Sequence, residues 1–489
     1  MTKKYLIFLT IFIFASLLLF ANSENKQFIK ICPSGFYFEL NGKVFIPIGF
    51  NYGVDWPDFS NLWTGDVGGL KWGDPESVES TFKEWHMYGV NTLRIFMEDA
   101  SDPSGSALFE DPLGNVNESL VKVWNYIFEY AKKYDIYLII EPFDPFWMSR
   151  NWAESPFNIK NGGPIDSLAQ FLESPKTIED TEFRFKFFID HWGNTSHILA
   201  WEINNEIDLW YGSNNTDAIS KYIKTISDFI KNYEDSKFGQ HHLITVSTAT
   251  PVLFNNLGKT IYKNKHLDFV TTHLYLPAVS NPTNTINPAI EVSQAVIENL
   301  ENMNYSKPYI DSEDGPINGW SLPMTENEEY HHNMLWAEFA SGACGPGLKW
   351  PYLSPVNITG LDTYKAISNF INSPGIDWLY FKAFPESHNI TISGTAKNYV
   401  IPFSCGDNNA RILWILKNST RDLKNIDFSK VDLIVSNLEN GTYDVELWNT
   451  HDGTLLKVIK LLSQKNKIEL NLNMDNLNDI ALKIYKISN

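Results

Sequence analysis

Between residues 28 and 373, eight short apolar runs alternate with longer segments of helical period, and no other feature of the chain limits its fold so strictly. The runs cover residues 44–50, 90–96, 136–141, 197–203, 243–248, 268–275, 308–312 and 343–350. Runs of this kind suit strands buried on both faces, as in a parallel sheet covered by its own crossover helices, and eight such strands close a TIM (β/α)8 barrel. The intervening segments carry helix punctuation. Asp74-Pro75 supplies a cap and a first turn, Val78, Phe82 and Trp85 follow at helical spacing, and Gly89 ends the segment before the second run. Another helix is expected from Asn215 or Thr216, with Ile219, Tyr222, Ile223, Ile226, Phe229 and Ile230 as the stripe that packs on the barrel. Pro47 and Gly345-Pro346-Gly347 are poor strand interiors, so the first and eighth strands are the weakest of the set.

Beyond residue 374 the helical period ends. Strand-like runs follow at 389–392, 399–404, 410–417, 431–438, 442–448, 455–462 and 467–474; Ile468, Leu470, Leu472 and Met474 alternate with polar residues, and Asp452-Gly453 marks a turn. Residues 28–373 are therefore expected to form an α/β barrel, and residues 374–489 a small antiparallel β-sandwich against it.

The formal net charge of −19 disfavours a nucleic-acid partner, whose phosphates are held through clustered Lys and Arg. At the start, Lys3 and Lys4 precede an uncharged, largely apolar run up to Ala21-Asn22-Ser23, the pattern of an export signal over residues 1–23. An uncleaved N-terminal membrane anchor is the alternative; in either case the folded part is expected outside the cytoplasm. Sequons beginning at Asn117, Asn194, Asn214, Asn304, Asn357, Asn389, Asn418 and Asn440 permit glycosylation. The three cysteines Cys32, Cys344 and Cys405 allow at most one bridge and lack paired metal-ligand spacing. The histidine pairs His241-His242 and His331-His332 are adjacent, a spacing that sends the side chains apart, so neither a metal nor any other cofactor is expected.

Two runs end in glutamate. Asn205-Glu206 closes the segment from His197 through Trp201 and Glu202, and Glu313 closes the segment from Lys307. A carboxylate at the carboxyl end of a barrel strand escapes the desolvation it would suffer mid-strand, and the rim there is where such folds carry their chemistry. Two carboxyls about 5 to 5.5 Å apart are what retaining glycoside hydrolysis requires, one attacking the anomeric carbon while the other protonates the leaving oxygen. Asn205 can bond a sugar hydroxyl without adding charge beside a proton donor. His273-x-Tyr275 places two hydrogen-bonding rings on one face of the sixth strand. Arg94, inside an apolar run, needs a carboxylate partner, with Glu313 one candidate and Glu202 another. Trp350 ends the eighth run and offers a flat ring on which a sugar can stack.

These residues together resemble glycoside hydrolase clan A, and most closely family five, the cellulase and mannanase family. The likeness rests on Gly49-Phe50-Asn51-Tyr52, Asn91-Thr92-Leu93-Arg94, Trp201 through Asn205-Glu206, His273-x-Tyr275, Glu313 and Trp350. By that resemblance Glu206 is the acid/base, Glu313 the nucleophile and Asn205 the sugar contact beside the acid/base. Arg94 and Tyr275 would hold the nucleophile ionised and oriented, His273 would be a polar site residue, and Trp350 would lie under the reacting sugar. The resemblance also implies retention of configuration without a metal. One departure stands out: where the family commonly has a histidine after the third strand, this chain reads Ile139-Ile140-Glu141-Pro142-Phe143-Asp144. Asp314, next to Glu313, is also unusual; strand alternation points it away from Glu313, so it is read as a loop residue rather than the nucleophile.

The expected partner is carbohydrate, a β-linked polysaccharide or oligosaccharide, with β-1,4-mannan or β-1,4-glucan first by family likeness. Sixteen tryptophans, among them Trp56, Trp63, Trp72, Trp147, Trp152, Trp210 and Trp320 in rim segments, suit a sugar-lined cleft. A transglycosylase would share every one of these residues, and a secreted carbohydrate-binding protein could keep the scaffold without turnover.

Overall fold

The computed structural model describes residues 27–51, 75–97, 108–211, 215–316, 322, 326–350 and 360–487. The export-signal segment, Tyr52, Trp56, Trp63, Trp72, Asp74 and Trp320 lie outside the described residues, as do the side chains of Val78, Trp147 and Trp210. Among the described residues no helix is long and apolar enough to cross a membrane.

The chain opens with a small antiparallel sheet of β1 (Lys30–Ile31), β2 (Phe38–Leu40) and β3 (Lys43–Phe45). Parallel strands follow: β4 (Gly49–Asn51), β5 (Thr92–Phe96), β6 (Tyr137–Glu141), β7 (Ile198–Glu202), β8 (Leu243–Thr245), β9 (Val270–His273), β10 (Tyr309–Glu313) and β11 (Leu348–Lys349). Six of them form one sheet in the order β11-β4-β5-β6-β7-β8, and β9 pairs with β10. Backbone bonds link the two pieces at both ends. Asp268 N donates to Ile244 O at 2.8 Å and His273 N to Thr248 O at 2.9 Å, while Asp314 bridges to Lys349 in parallel register. The six-stranded piece runs in sequence order across β4 to β8, as helical crossovers dictate.

The eight expected runs each overlap a parallel strand, but two need correction. The run 44–50 is divided: Lys43–Phe45 belongs to the first antiparallel sheet, and the parallel strand is Gly49–Asn51. Pro47, which has no N–H to donate, sits at the break. Across it, Asn91 accepts from Ile48 N at 2.8 Å and donates to Ile46 O at 2.9 Å, replacing ladder bonds with side-chain ones. The run 343–350 contracts to Leu348–Lys349. A Cβ at Gly345 would stand 2.5 Å from Pro47 O, and Gly347 has φ +80 against the Glu338 carboxylate, so the preceding segment is a close-packed turn. The expected helix runs Thr216–Phe238, with Ile219, Tyr222, Ile223, Ile226 and Ile230 buried and Phe229 partly buried. It ends where Gly239 takes φ +72.

C-terminal to the helix Leu361–Asn372 come β12 (Phe384–Pro385), β13 (Ile390–Ser393), β14 (Val400–Gly406), β15 (Ala410–Lys417), β16 (Val431–Ser436), β17 (Gly441–Trp448), β18 (Leu455–Ser463), β19 (Lys467–Leu472) and β20 (Asp479–Lys486). They form two antiparallel sheets, β12-β14-β15-β20-β17-β18 and β13-β16-β19. Alternate residues of each, such as Val431, Leu433 and Val435 against Leu413, Ile415, Ile480 and Leu482, share one apolar core. The opposite face of the larger sheet joins the main core through Phe403, Ile412, Trp414 and Ala481. Its strand β20, central to that sheet, was absent from the expected set.

The seam between this sheet and the parallel region has its own polar clasp. Asp479 accepts from Trp414 Nε1 at 2.7 Å, His332 Nε2 at 3.2 Å and His451 Nε2 at 3.1 Å, and the two imidazoles stack with centroids 4.0 Å apart. Cys32, Cys344 and Cys405 are free and buried, so the one bridge they allowed does not form.

Candidate active site

Arg94 comes from the middle of β5, where every residue is buried, and it organises the carboxyl ends of the neighbouring strands. Its Nε and Nη2 clasp Glu202 on β7 at 2.7 and 2.8 Å. Nη1 donates to Asn51 on β4 at 2.8 Å and to Glu313 on β10 at 2.9 Å. Nη2 also reaches Glu141 on β6 and Asn205, each at 2.8 Å. Both partners anticipated for Arg94 are therefore used, and Glu141 is a third.

One guanidinium cannot hold three buried carboxyls ionised, and their environments divide the charge. Burial opposes ionisation of Glu202, but the Arg94 guanidinium with its paired hydrogen bonds outweighs it and keeps Glu202 below the ordinary carboxylate value. Burial, with Glu202 and Asp144 nearby, drives Glu141 well above that value despite Arg94. Glu141 is the neutral member, consistent with its Oε1 being buried with no hydrogen-bond partner among the described residues.

Glu206 lies just past β7 with φ +40, a left-handed backbone that costs a non-glycine residue about 1–3 kcal/mol. The segment just past β8 holds it there: Ser247 Oγ accepts from Glu206 N at 2.9 Å, and Ser247 O accepts from Ile207 N at 3.0 Å. His273, at the end of β9, places Nδ1 2.9 Å from Glu206 Oε1 and 3.6 Å from Glu313 Oε2. One atom from each of these three residues lies within 4.8 Å of the others, so the two glutamates share one site. Tyr275 OH donates to Glu313 Oε1 at 2.6 Å.

The two carboxyls differ in surroundings. Burial, reinforced by Asp208, raises Glu206 to about 7. Burial also raises Glu313, but His273, Arg94 and the Tyr275 hydrogen bond pull back toward its charged form. Burial holds His273 below its ordinary value, against the opposing pull of Glu313. Carboxylate, imidazole and carboxylate are donors a divalent cation accepts, but Glu313 already faces the Arg94 charge, which would repel a second cation.

Asn205 is 3% exposed; its Oδ1 accepts from Arg94 and from Ser247 Oγ at 3.1 Å, and its Nδ2 donates to Asp144 Oδ1 at 3.3 Å. Trp350 packs T-shaped with Phe96, ring centroids 5.6 Å apart, and is 7% exposed, close to the 8% of Glu206 and of Glu313. Trp152 packs partly buried against the main core. Asp314, read as a loop residue from the sequence, lies just past β10, where it forms an isolated parallel bridge to Lys349 and is buried and ion-paired to that lysine at 2.7 Å.

Sequence reasoning did not select Glu141, Asn51, Ser247 or Asp208. Glu141 carried a usable signal, since it ends an apolar run as Glu313 does. Ser247 and Asp208 carried none. Asp208 accepts from Ala249 N at 2.7 Å and Thr250 N at 3.1 Å, contacts that only the fold creates.

Comparison with known proteins places this geometry. The family model described as Cellulase (glycosyl hydrolase family 5) matches residues 49–332. A solved glycoside hydrolase aligns at TM-score 0.59 and 13% identity over 95% of this chain and 98% of its own. A glycoside hydrolase family 5 protein from Bacteroides vulgatus ATCC 8482 aligns at TM-score 0.59 and 12% identity over 95% and 94%. A glycoside hydrolase family 5 mannosidase from Rhizomucor miehei aligns at 0.51 and 16% over 71% and 98%. No curated protein matches the chain.

Proposed function

Because the chain belongs to glycosyl hydrolase family 5, a family that implies a TIM barrel and O-glycosyl hydrolase activity, we propose that it is a retaining β-glycoside hydrolase acting by double displacement. The observation that carries the reading is the meeting of Glu206, His273 and Glu313 within 4.8 Å, the close spacing that direct carboxylate attack needs and a water-mediated inversion does not. Glu313, supported by Arg94 and the Tyr275 hydroxyl, attacks the anomeric carbon. Glu206, which burial keeps protonated toward neutrality, donates to the leaving oxygen and then takes the proton of the incoming water. Asn205 positions the sugar, and Trp350 supplies an apolar wall near it. No metal or cofactor enters this reading.

The substrate we propose is β-linked and polymeric or oligomeric, β-1,4-mannan or β-1,4-glucan foremost. The name of the Rhizomucor miehei neighbour, a mannosidase, favours the mannan side. In this reading the eight parallel strands close as a barrel over residues 28–373, with residues 374–489 as a supporting sandwich and residues 1–23 as an export signal. Hydrolysis of a panel of mannans, glucans and short oligosaccharides, followed by released reducing ends, tests it. Release from a β-mannan or β-glucan is expected; no release from any β-glycan would overturn the assignment.

A further inference from the structure

Behind Glu313 lies a second buried group that the proposed chemistry does not use. Asp311, Asp314, Glu338 and Lys349 are all fully buried. Lys349 Nζ binds Asp314 Oδ2 at 2.7 Å and the Glu338 carboxylate. Asp311 Oδ1 accepts the backbone N–H of Glu313 at 3.0 Å. That bond lies where the pairing of β10 with β9 shifts register: Asp311 stands opposite Thr272, yet Glu313 stands opposite His273, leaving Ser312 as the extra residue. The bulge turns Glu313 toward His273, and the Asp311 carboxyl is what ties its amide.

Asp311 Oδ2 and Asp314 Oδ1 are buried with no hydrogen-bond partner among the described residues, and one carboxyl oxygen each of Asp311, Asp314 and Glu338 lies within 4.8 Å of the others. Carboxylates gathered this closely out of water repel strongly, and one proton shared between Asp311 and Asp314 turns that repulsion into a strong hydrogen bond. Asp314 is the member paired with the lysine, so the proton resides on Asp311. Burial and the nearby Asp314 and Glu338 act in the same direction, pushing Asp311 well above the ordinary value.

We propose that Asp311, as a neutral acid donating to Asp314, is a positioning residue that fixes the bulge from which Glu313 projects. This rests on the reading of Glu313 as nucleophile. An amide has the same two capacities as the neutral acid, accepting at one end and donating at the other, whereas an alkyl chain has neither. Asp311→Asn is therefore expected to keep kcat within about tenfold of wild type, and Asp311→Leu to lose about a hundredfold or more in kcat with little change in KM, the scale of a misplaced reacting group. The experiment measures both variants on an aryl β-glycoside cleaved by the wild type, with thermal midpoints recorded for each. Loss of more than tenfold in Asp311→Asn, or a leucine variant that retains wild-type kcat, overturns the proposal. Should Asp311→Leu fail to fold, Asp311→Asn decides alone on the same tenfold line. Labelling of wild-type Glu313 by a mechanism-based fluoroglycoside is run in parallel. Its absence would refute the nucleophile reading itself, whereas label present with the asparagine variant inactive would refute only the role of Asp311.

Discussion

Replacing Glu206 by glutamine should make the protein more stable at alkaline pH while abolishing turnover of unactivated glycans. In the folded chain burial raises the Glu206 carboxyl from its ordinary 4.5 to about 7. A group with a raised folded value holds its proton more tightly when folded. Relative stability is thus greatest below the unfolded value and falls as pH rises through the folded one. The interval of about 2.5 units corresponds to about 3 kcal/mol, at about 1.4 kcal/mol per unit, lost by the wild type between about pH 4.5 and pH 7. Glutamine resembles the neutral acid in shape and can bond His273 Nδ1 as the carboxyl does at 2.9 Å, but it has no proton to lose. Urea midpoints of the two proteins should coincide near about pH 4 and separate in favour of Glu206→Gln by up to about 3 kcal/mol near about pH 8.5. A difference that does not change with pH, or a variant less stable on the alkaline side, would refute the account of Glu206. The same ionisation should appear in the wild type as a fall in kcat on natural glycan as pH rises through about 7.

Tyr275→Phe removes the hydroxyl that donates to Glu313 at 2.6 Å and favours its charged form; kcat/KM should fall about tenfold and its acidic limb should move to higher pH, as pH profiles would register. Arg94→Met strands Glu202 and Glu313 without their buried cation, so a loss of about 3–5 kcal/mol by denaturation is expected, and a loss under about 1 kcal/mol would contradict the charge division described above. Asp479→Ala removes the acceptor shared by His332, His451 and Trp414 at the seam with the C-terminal sheet; destabilisation of similar size should appear at neutral pH. Burial opposes the Asp479 charge, but pairing and hydrogen bonding with His332 and His451 outweigh it and hold Asp479 far below its ordinary value, so wild type and variant should converge only as pH falls well below the usual carboxylate range.

The repeated strand and helix pattern was legible because burial on both faces leaves an unbroken apolar run, which is why β5, β6 and β7 lie inside their expected segments. Strands β4 and β11 were overestimated where a proline and three close-packed residues interrupt pairing, an effect that depends on neighbours rather than on the run itself. The missed β20 carries Asp479 and Lys483 on buried positions, so it lacks the clean alternation that exposed its neighbours; both charges find partners across the seam, Asp479 in His332 and Lys483 in Phe370 O and Ser373 O. Within the site, Glu206, Glu313, Arg94, His273 and Tyr275 could be selected because each breaks or ends an apolar run. Glu141 was visible as a departure without a role, since only three-dimensional proximity reveals that it shares Arg94 with Glu202 and Glu313. The Asp311 contact to the amide of Glu313 depends on a bulge that no local pattern announces.

In the double displacement proposed here, Glu313 forms a bond to sugar while Glu206 manages the proton. Incubation of the wild type with a fluoroglycoside inactivator bearing a good leaving group, followed by peptide mass mapping, tests it directly. One covalent sugar per chain, carried on Glu313, is expected. A glycan-hydrolysing enzyme that takes no label, or takes it on any other residue, would contradict it.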